Sequence, residues 1–290
     1  MVEKKGIDIS VWQGNINWEK VKSAGIEFAM LRCGFGKNSH QKDTQFETNY
    51  KNAKAAGVPV GVYHYSYATS VADAEKEADF CLSLLKGKQF EYPIAFDIED
   101  KIQRDLGKEL ISKIIVAFCE KVEKAGYYVC IYANKDWLVN RIDTYCKTRY
   151  DVWIAEWTKK PTYNGQFGLW QYSSKGNVNG ISGNVDMNIA YKDYPSIIKG
   201  AKLNGFTENV VAPAPDVEPA PVTYKAGQAV VLKDTPLYTT ATSNKALTKK
   251  SGTYYIYDGI KINGRYRITN RPDRVGKKPI GFYVSGFIVL

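Results

Sequence analysis

Histidine is nearly missing from this chain: among 290 residues only His40 and His64 occur. A histidine-based metal centre or a Cys/His nucleophilic pair therefore has little to draw on, since each needs an imidazole beside its partner. Cysteine is also sparse. Cys33, Cys81, Cys119, Cys130 and Cys146 are odd in number and contain no C-x-x-C pair, and four sit in apolar segments, so they read as buried thiols. No apolar run approaches the roughly 20 residues that span a bilayer, which excludes insertion through a helix. Met1 to Ile9 carries two lysines but no apolar stretch of about 7–15 residues behind them, so no secretory signal is expected. The product is expected to accumulate in the cytoplasm of the cell that makes it.

What is present is an ordinary globular composition, 44% hydrophobic and 24% charged, with a net charge of +10 that is unevenly spread. Residues 1–205 hold 28 Lys and Arg against 24 Asp and Glu, whereas residues 223–290 hold 12 against three. Such a basic tail calls for an anionic partner: nucleic acid, a membrane surface or a bacterial wall polymer. Between the two lies a stretch with prolines at 213, 215, 219 and 221, which removes backbone donors and fixes dihedrals. The expected division is a large domain at 1–205, a linker at 206–222 and a small domain at 223–290.

Upstream of the linker, β-branched and aromatic runs alternate with amphipathic helical patterns, the signature of strand-helix units around a parallel sheet. Strands are predicted at 6–10, 28–33, 58–67, 93–99, 128–133, 151–156, 169–172 and 184–188. Thr44 with Glu47, and Ser70 with Asp73, mark helix starts; Gly57, Gly87 and Gly126 mark stops. A helix over 105–125 places Leu106, Leu110, Ile114, Phe118 and Val122 on one buried stripe. Five strand-helix units come first and helices fade after Ala133. The fold class is thus α/β, a modified eight-stranded (β/α)5β3 barrel of the TIM type. Downstream, short strands at 229–232, 236–238, 253–257, 266–269 and 282–289, with turns at Asn263-Gly264 and Asp258-Gly259, predict a small all-β barrel.

Side-chain alternation then locates a site. In Ile94-Ala95-Phe96-Asp97-Ile98-Glu99 the residues Ile94, Phe96 and Ile98 face the helices, so Asp97 and Glu99 share the other side with Cα atoms roughly 6.6 Å apart. That spacing suits the carboxyl pair of a glycosidase. Asp8, between Ile7 and Ile9, and Asp186, between Val185 and Met187, point inward by the same rule, and strands one and eight are neighbours in a closed barrel. Four acids at one mouth repel, which raises at least one pKa and keeps a proton available for general acid catalysis. Val60 and Val62 face outward, leaving Gly61, Tyr63 and Tyr65 inside. Trp12, Trp153, Trp157 and Trp170 fall at or after strand ends, where they can stack on sugar rings. His64 alternates with the tyrosines and reads as a satisfied outward histidine.

Gly6-Ile7-Asp8-Ile9-Ser10-Val11-Trp12-Gln13-Gly14-Asn15-Ile16-Asn17-Trp18, Val62-Tyr63-His64-Tyr65, Ala95-Phe96-Asp97-Ile98-Glu99 and Leu169-Trp170-Gln171-Tyr172 followed by Gly183-Asn184-Val185-Asp186 strongly resemble the family 25 glycoside hydrolases, the Chalaropsis-type lysozymes and phage endolysins. The resemblance spans about residues 5–200. It implies five strand-helix units plus three strands and β-1,4-N-acetylmuramidase activity without a cofactor or metal. It makes Glu99 the general acid/base and Asp97 the group that stabilises the oxocarbenium-like intermediate or orients the substrate acetamide. Asp8 and Asp186 match the supporting acids, and Tyr63 matches the tyrosine at the cleavage subsite. Tyr65, Trp12, Trp157 and Gln171 complete the expected substrate-binding set. The tail looks similar to the bacterial Src-homology-3-type barrels that dock endolysins on walls. Peptidoglycan is the implied partner, with an anionic wall polymer for the basic tail, and neither nucleic acid nor membrane insertion. An endolysin of this type stays in the host cytoplasm until release and then acts at the wall.

Three rivals stand beside this reading. A metal-dependent phosphodiesterase would use the acids to hold Mg²⁺, and a non-catalytic wall-binding protein would need no acid at all. A nucleic-acid-binding tail is suggested by Arg265, Arg267, Arg271, Arg274, Lys277 and Lys278.

Overall fold

The computed structural model describes residues 3–206, 224–243, 245–276 and 285–289, and the chain divides into two compact units, Met1–Val211 and Ala212–Leu290. From residue 207 onward the expected proline-rich linker lies outside the described residues.

In the first unit eight strands close a barrel in chain order: β1 (Lys4–Ile9), β2 (Phe28–Phe35), β3 (Val60–Tyr65), β4 (Ile94–Asp97), β5 (Val129–Asn134), β6 (Asp151–Ala155), β7 (Leu169–Gly176) and β8 (Val185–Ala190). Strands β1 to β7 run parallel, and β8 is antiparallel to both β7 and β1. Helices α1 (Trp18–Ser23), α2 (Phe46–Ala55), α3 (Val71–Leu85), α4 (Lys108–Lys124) and α5 (Thr144–Arg149) follow the first five strands, and α6 (Tyr194–Gly200) follows β8. Five strand-helix units plus three strands is the order predicted from the sequence. Among the described residues no helix is long and apolar enough to cross a membrane.

Local signals account for most element ends. Ser70 Oγ accepts the Asp73 N–H and starts α3, while Gly57, Gly87 and Gly126, with φ of 70°, 74° and 88°, take the left-handed turns that stop α2, α3 and α4. The start of α2 departs from the expected Thr44 and Glu47 box. Gln45 is its N-cap and makes no side-chain cap bond. The Glu47 carboxylate is drawn away by Lys42 at 2.8 Å and Lys88 at 3.2 Å, and buried Asp43 accepts the Gln45 N–H instead.

Two apolar layers follow from strand alternation. Outward residues Ile7, Ile9, Val60, Val62, Ile94, Phe96 and Ile98 pack with Ile111, Ile114, Ile115, Phe118 and Val122 of α4; Leu106 and Leu110 of the predicted stripe are only partly buried. Inside the barrel, Phe28 stacks on Tyr92 at 4.3 Å and Met30, Trp153 and Tyr194 fill the space around them. This bulk needs glycine opposite it: a Cβ at Gly6 would sit 2.3 Å from the Phe28 ring, and one at Gly61 2.5 Å from Met30 Sδ. One end of the barrel is thereby plugged, and polar groups are left to the end where the parallel strands finish.

The second unit is a four-stranded antiparallel sheet in the order β12 (Ser285–Val289), β11 (Arg265–Thr269), β10 (Thr248–Ile262), β9 (Ala229–Leu237). Val230, Leu232, Leu237, Tyr254, Ile256, Tyr266, Ile268 and Ile288 form its core. The sheet curls until Tyr238, just past β9, exchanges two 2.9 Å backbone hydrogen bonds with Phe287 of β12. Asn263 and Gly264, at φ 48° and 76°, make the predicted hairpin turn. Asp258-Gly259 is not a turn between strands. It sits within β10, where the register shifts between Ile256 and Lys261, and the positive φ of Gly259 absorbs the irregularity. The predicted runs 229–232 and 236–238 are one strand, irregular at Asp234. Of the run predicted at 282–289, residues 282–284 lie outside the described residues.

Candidate active site

Three strands deliver four acids to the open end of the barrel. On β1, Asp8 lies between outward Ile7 and Ile9 and pairs in register with Asp186. Because β8 runs antiparallel, its first residues reach the end where the parallel strands finish, which puts Asp186 at the mouth. Strand β4 ends at Asp97, and Glu99 follows two residues later on the same side. Tyr63 and Tyr65 of β3, Gln171 of β7, Trp12 after β1 and Trp157 after β6 join these four acids around one cleft of ≈ 350 Å³. The four acids and Tyr63, Tyr65, Gln171, Trp12 and Trp157 all line this cleft.

Crowding and burial shift the carboxyls upward. Asp8 is pushed to about 8, by burial first and the Asp186 charge second, against hydrogen bonds from Asn188 and Gln171 that favour ionisation. Burial also raises Asp186, which its interaction with Asp8 partly offsets. Asp97 stands well above the usual carboxylate range, through burial and then the charges of Glu99 and Asp8, with Arg32 opposing. Its Oδ1 is buried without a hydrogen-bond partner. Glu99 is raised to about 7 by burial, then Asp186, then Asp100. The cleft thus offers a protonated glutamic acid at neutral pH beside a carboxyl oxygen with free bonding capacity, the two elements that acid-catalysed glycosidic cleavage requires.

A polar frame holds these groups. Gln171 donates to Asp8 Oδ2 at 2.9 Å and accepts from the Tyr132 hydroxyl at 3.1 Å and Trp157 Nε1 at 3.0 Å. Asn188 donates to the same Asp8 oxygen at 2.8 Å and accepts from Trp153 Nε1 at 2.8 Å. Asp43 Oδ2 accepts from Arg32 Nε at 2.8 Å and from the Val11 N–H at 2.9 Å, tying the β1 loop to a cationic side chain in the cleft. Ser10 and Gln13 cap the turn at Val11–Gln13 reciprocally, which presents Trp12 at 81% exposure. Trp157 is 63% exposed. The Tyr65 hydroxyl donates to Asp100 at 3.0 Å.

Two of the four tryptophans do not fit the stacking expectation. Trp170 faces the outer layer and donates to the Glu156 carbonyl at 2.8 Å, because on β7 it alternates with inward Gln171. Trp153 does line the cleft floor, but it is 1% exposed and packed edge-on against Tyr63 and Tyr132, so it supports the floor and has no free face for a sugar. His64 is outward and satisfied: Nε2 lies 2.9 Å from the Gly36 carbonyl oxygen and the ring stacks on Phe118.

Arg32, Tyr132, Ser10, Gln13 and Ser174 also line the cleft and were not singled out from sequence. For Arg32 and Tyr132 the signal was available: Ala29, Leu31 and Cys33 face out on β2, and Val129, Ile131 and Ala133 on β5, so their alternates face in. Ser174 carried none, since the β7 register is irregular on either side of Ser173. Among the described residues the group whose ligand atoms converge within 4.8 Å is Cys33, His64 and Cys81, on the outer side of the barrel.

Comparison with known proteins places this geometry. The autolytic lysozyme of Clostridium acetobutylicum is 30% identical over 184 residues, 63% of this chain and 54% of that protein. Lysozyme M1 of Streptomyces globisporus is 32% identical over 198 residues, 63% of this chain and 66% of that protein. The chain therefore aligns with about half of the first relative and just under two thirds of the second. Among solved structures, the CTP1L endolysin superposes with a TM-score of 0.61 at 27% identity, covering 68% of this chain and 70% of that one. The bacterial lysozyme from Streptomyces coelicolor gives 0.58 at 29%, covering 70% and 98%. The family described as Glycosyl hydrolases family 25 matches residues 7–181, the stretch that carries Asp8, Asp97, Glu99 and most of the cleft, and the chain belongs to that family.

Proposed function

We propose that this protein is a peptidoglycan hydrolase of the lysozyme type, an N-acetylmuramidase that cleaves the β-1,4 bond between N-acetylmuramic acid and N-acetylglucosamine. The observation that carries the reading is Glu99, held at about 7 beside an Asp97 whose Oδ1 has no partner. Glu99 donates its proton to the glycosidic oxygen as the bond to the anomeric carbon breaks. Asp97, whose carboxyl faces the same cleft, stabilises the positive charge that grows on the sugar in the oxocarbenium-like state or orients the acetamide. The Glu99 carboxylate then takes a proton from the incoming water. Asp186 contributes negative potential with Asp8 beside it as a supporting acid, Tyr63 and Tyr65 contact the sugar at the cleavage point, and Trp12 and Trp157 stack on rings at the rim.

For the second unit, the reading is a wall anchor of the Src-homology-3 type that raises local substrate concentration through bivalency. Three of the arginines singled out from sequence have partners within the unit. Arg265 lies 3.7 Å over the Tyr238 ring, Arg267 4.1 Å over Tyr257, and Arg271 pairs with Asp273. Retention on purified walls but not on DNA at moderate salt is the expected outcome. The enzyme acts at the cell wall after residence in the host cytoplasm.

Mass spectrometry of digested peptidoglycan tests the bond assignment: a new reducing-end muramic acid is expected, and a reducing-end glucosamine or a cut peptide would exclude it. Glu99→Gln should reduce lysis of wall suspensions by about 10²-fold or more with wall retention unchanged, and EDTA should leave lysis intact, unlike a Mg²⁺ phosphodiesterase.

A further inference from the structure

On the outer side of the barrel, Cys33 of β2, His64 of β3 and Cys81 of α3 are each fully buried and take no part in the glycosidic chemistry. Cys33 Sγ stands 3.9 Å from Cys81 Sγ and 3.7 Å from His64 Nδ1. These separations match the edges of a coordination tetrahedron. With Zn–S about 2.3 Å and Zn–N about 2.0–2.1 Å, two sulfurs sit about 3.8 Å apart and a sulfur and nitrogen about 3.6 Å apart.

The imidazole is preset for this role. Its Nε2 lies 2.9 Å from the Gly36 carbonyl oxygen, so Nε2 carries the hydrogen and Nδ1 turns its lone pair toward the sulfurs. A backbone carbonyl orients metal-bound histidines in this way. Glu77, one helical turn before Cys81, is 1% exposed, and its Oε2 has no hydrogen-bond partner; its charge acts on both His64 and Cys81.

We propose that Cys33, Cys81 and His64 Nδ1 bind one zinc ion between the barrel and α3. Charge selects the metal. Two thiolates and a neutral imidazole with a divalent soft ion form a neutral group, whereas copper(I) would leave a net negative charge enclosed in an apolar layer. The ion ties β2, β3 and α3 together, and since no ligand reaches solvent it is taken up as the chain folds. Chelator added to the native protein does not reach it, so EDTA-resistant lysis and this site are compatible and their failures are distinguishable.

The test uses the full-length chain, unfolded under reducing conditions and refolded with Co²⁺, with Zn²⁺ or with EDTA. The expected result is one cobalt per chain, with thiolate-to-metal charge-transfer absorption that zinc abolishes, and a higher Tm for the zinc-refolded chain than for the EDTA-refolded one. Cys33→Ser and Cys81→Ser should each lose charge-transfer intensity and bind cobalt more than about tenfold more weakly, by the loss of a thiolate ligand, while Cys119→Ser keeps both. Absence of the charge-transfer band from the wild-type chain, or its persistence in Cys33→Ser, overturns the proposal. Should the serine variants fail to fold, X-ray absorption of the zinc-loaded wild-type chain decides: two sulfurs at about 2.3 Å support the site and a shell of oxygen and nitrogen alone overturns it.

Discussion

Replacing Asp186 by asparagine keeps the shape of the cleft while removing one negative charge, and the alkaline limb of activity should move down. Glu99 stands at about 7 instead of the ordinary 4.5 because of burial first, Asp186 second and Asp100 third, all acting in the same direction. The second of three such contributions supplies at most half of the rise. On that bound the Asp186→Asn substitution lowers the Glu99 pKa by roughly 0.5–1 pH unit, about 1 kcal/mol of relieved repulsion. The protonated fraction of Glu99 at pH 7 then falls from about one half to roughly 0.1–0.25. Activity at pH 7 relative to pH 5 should therefore drop about two- to fivefold. The assay is kcat/KM on soluble glycan oligomers across the pH range at constant ionic strength, read as new reducing ends. Soluble substrate removes wall retention by the basic second unit from the measurement, and kcat/KM reports the free enzyme. Asp186→Glu should restore the wild-type limb. An alkaline limb that stays in place or moves up in Asp186→Asn would refute the coupling of these two carboxyls and with it the acid role of Glu99.

Stability should carry the same signature: Asp8 and Glu99 have folded values of about 8 and about 7, above their unfolded values, so the folded state binds protons that the unfolded chain has released. Stability is then lost as pH rises through those values; Tm should fall by several degrees between about pH 5 and pH 8, Glu99→Gln should flatten the fall, and a Tm that climbs over this window opposes the assignment. Gly61→Ala should lower stability by roughly 1–3 kcal/mol, since its Cβ would lie 2.6 Å from Tyr92 Cβ and 2.8 Å from the Pro93 carbonyl oxygen; an unchanged melting curve contradicts the packed floor. A chain ending at residue 211 should keep its kcat/KM on soluble oligomers but wash off walls at lower salt, and equal retention counts against an anchoring second unit.

Much of the site was legible because it rests on strand alternation, which the chain writes directly. Isoleucines flanking Asp8, and Phe96 and Ile98 interleaved with Asp97 and Glu99, leave the acids one side to face. The same rule reached Tyr63 and Tyr65 and would have reached Arg32 and Tyr132. It misled for Trp170, which was judged by its nearness to a strand end when its alternation with Gln171 turns it outward. The Thr44 cap failed for a different reason: Asp43 took over the start of α2, and lysines distant in sequence claimed Glu47.

Read alone, the order of residues determined the barrel, its five strand-helix units and three closing strands, and the inward set Asp8, Asp97, Glu99 and Asp186, because period-two patterning and turn chemistry are local properties. Tertiary structure decided what those residues became. Closing the barrel with an antiparallel β8 brought Asp186 onto Asp8. Plugging one end with Phe28, Tyr92 and Trp153 confined the acids to the other. Burial there, acting together with mutual repulsion, placed Glu99 near neutrality. It also decided that Cys33, His64 and Cys81, scattered along the chain with no recognisable spacing, share one enclosed pocket. Desolvation and convergence depend on the whole folded surface, and no window of sequence contains them.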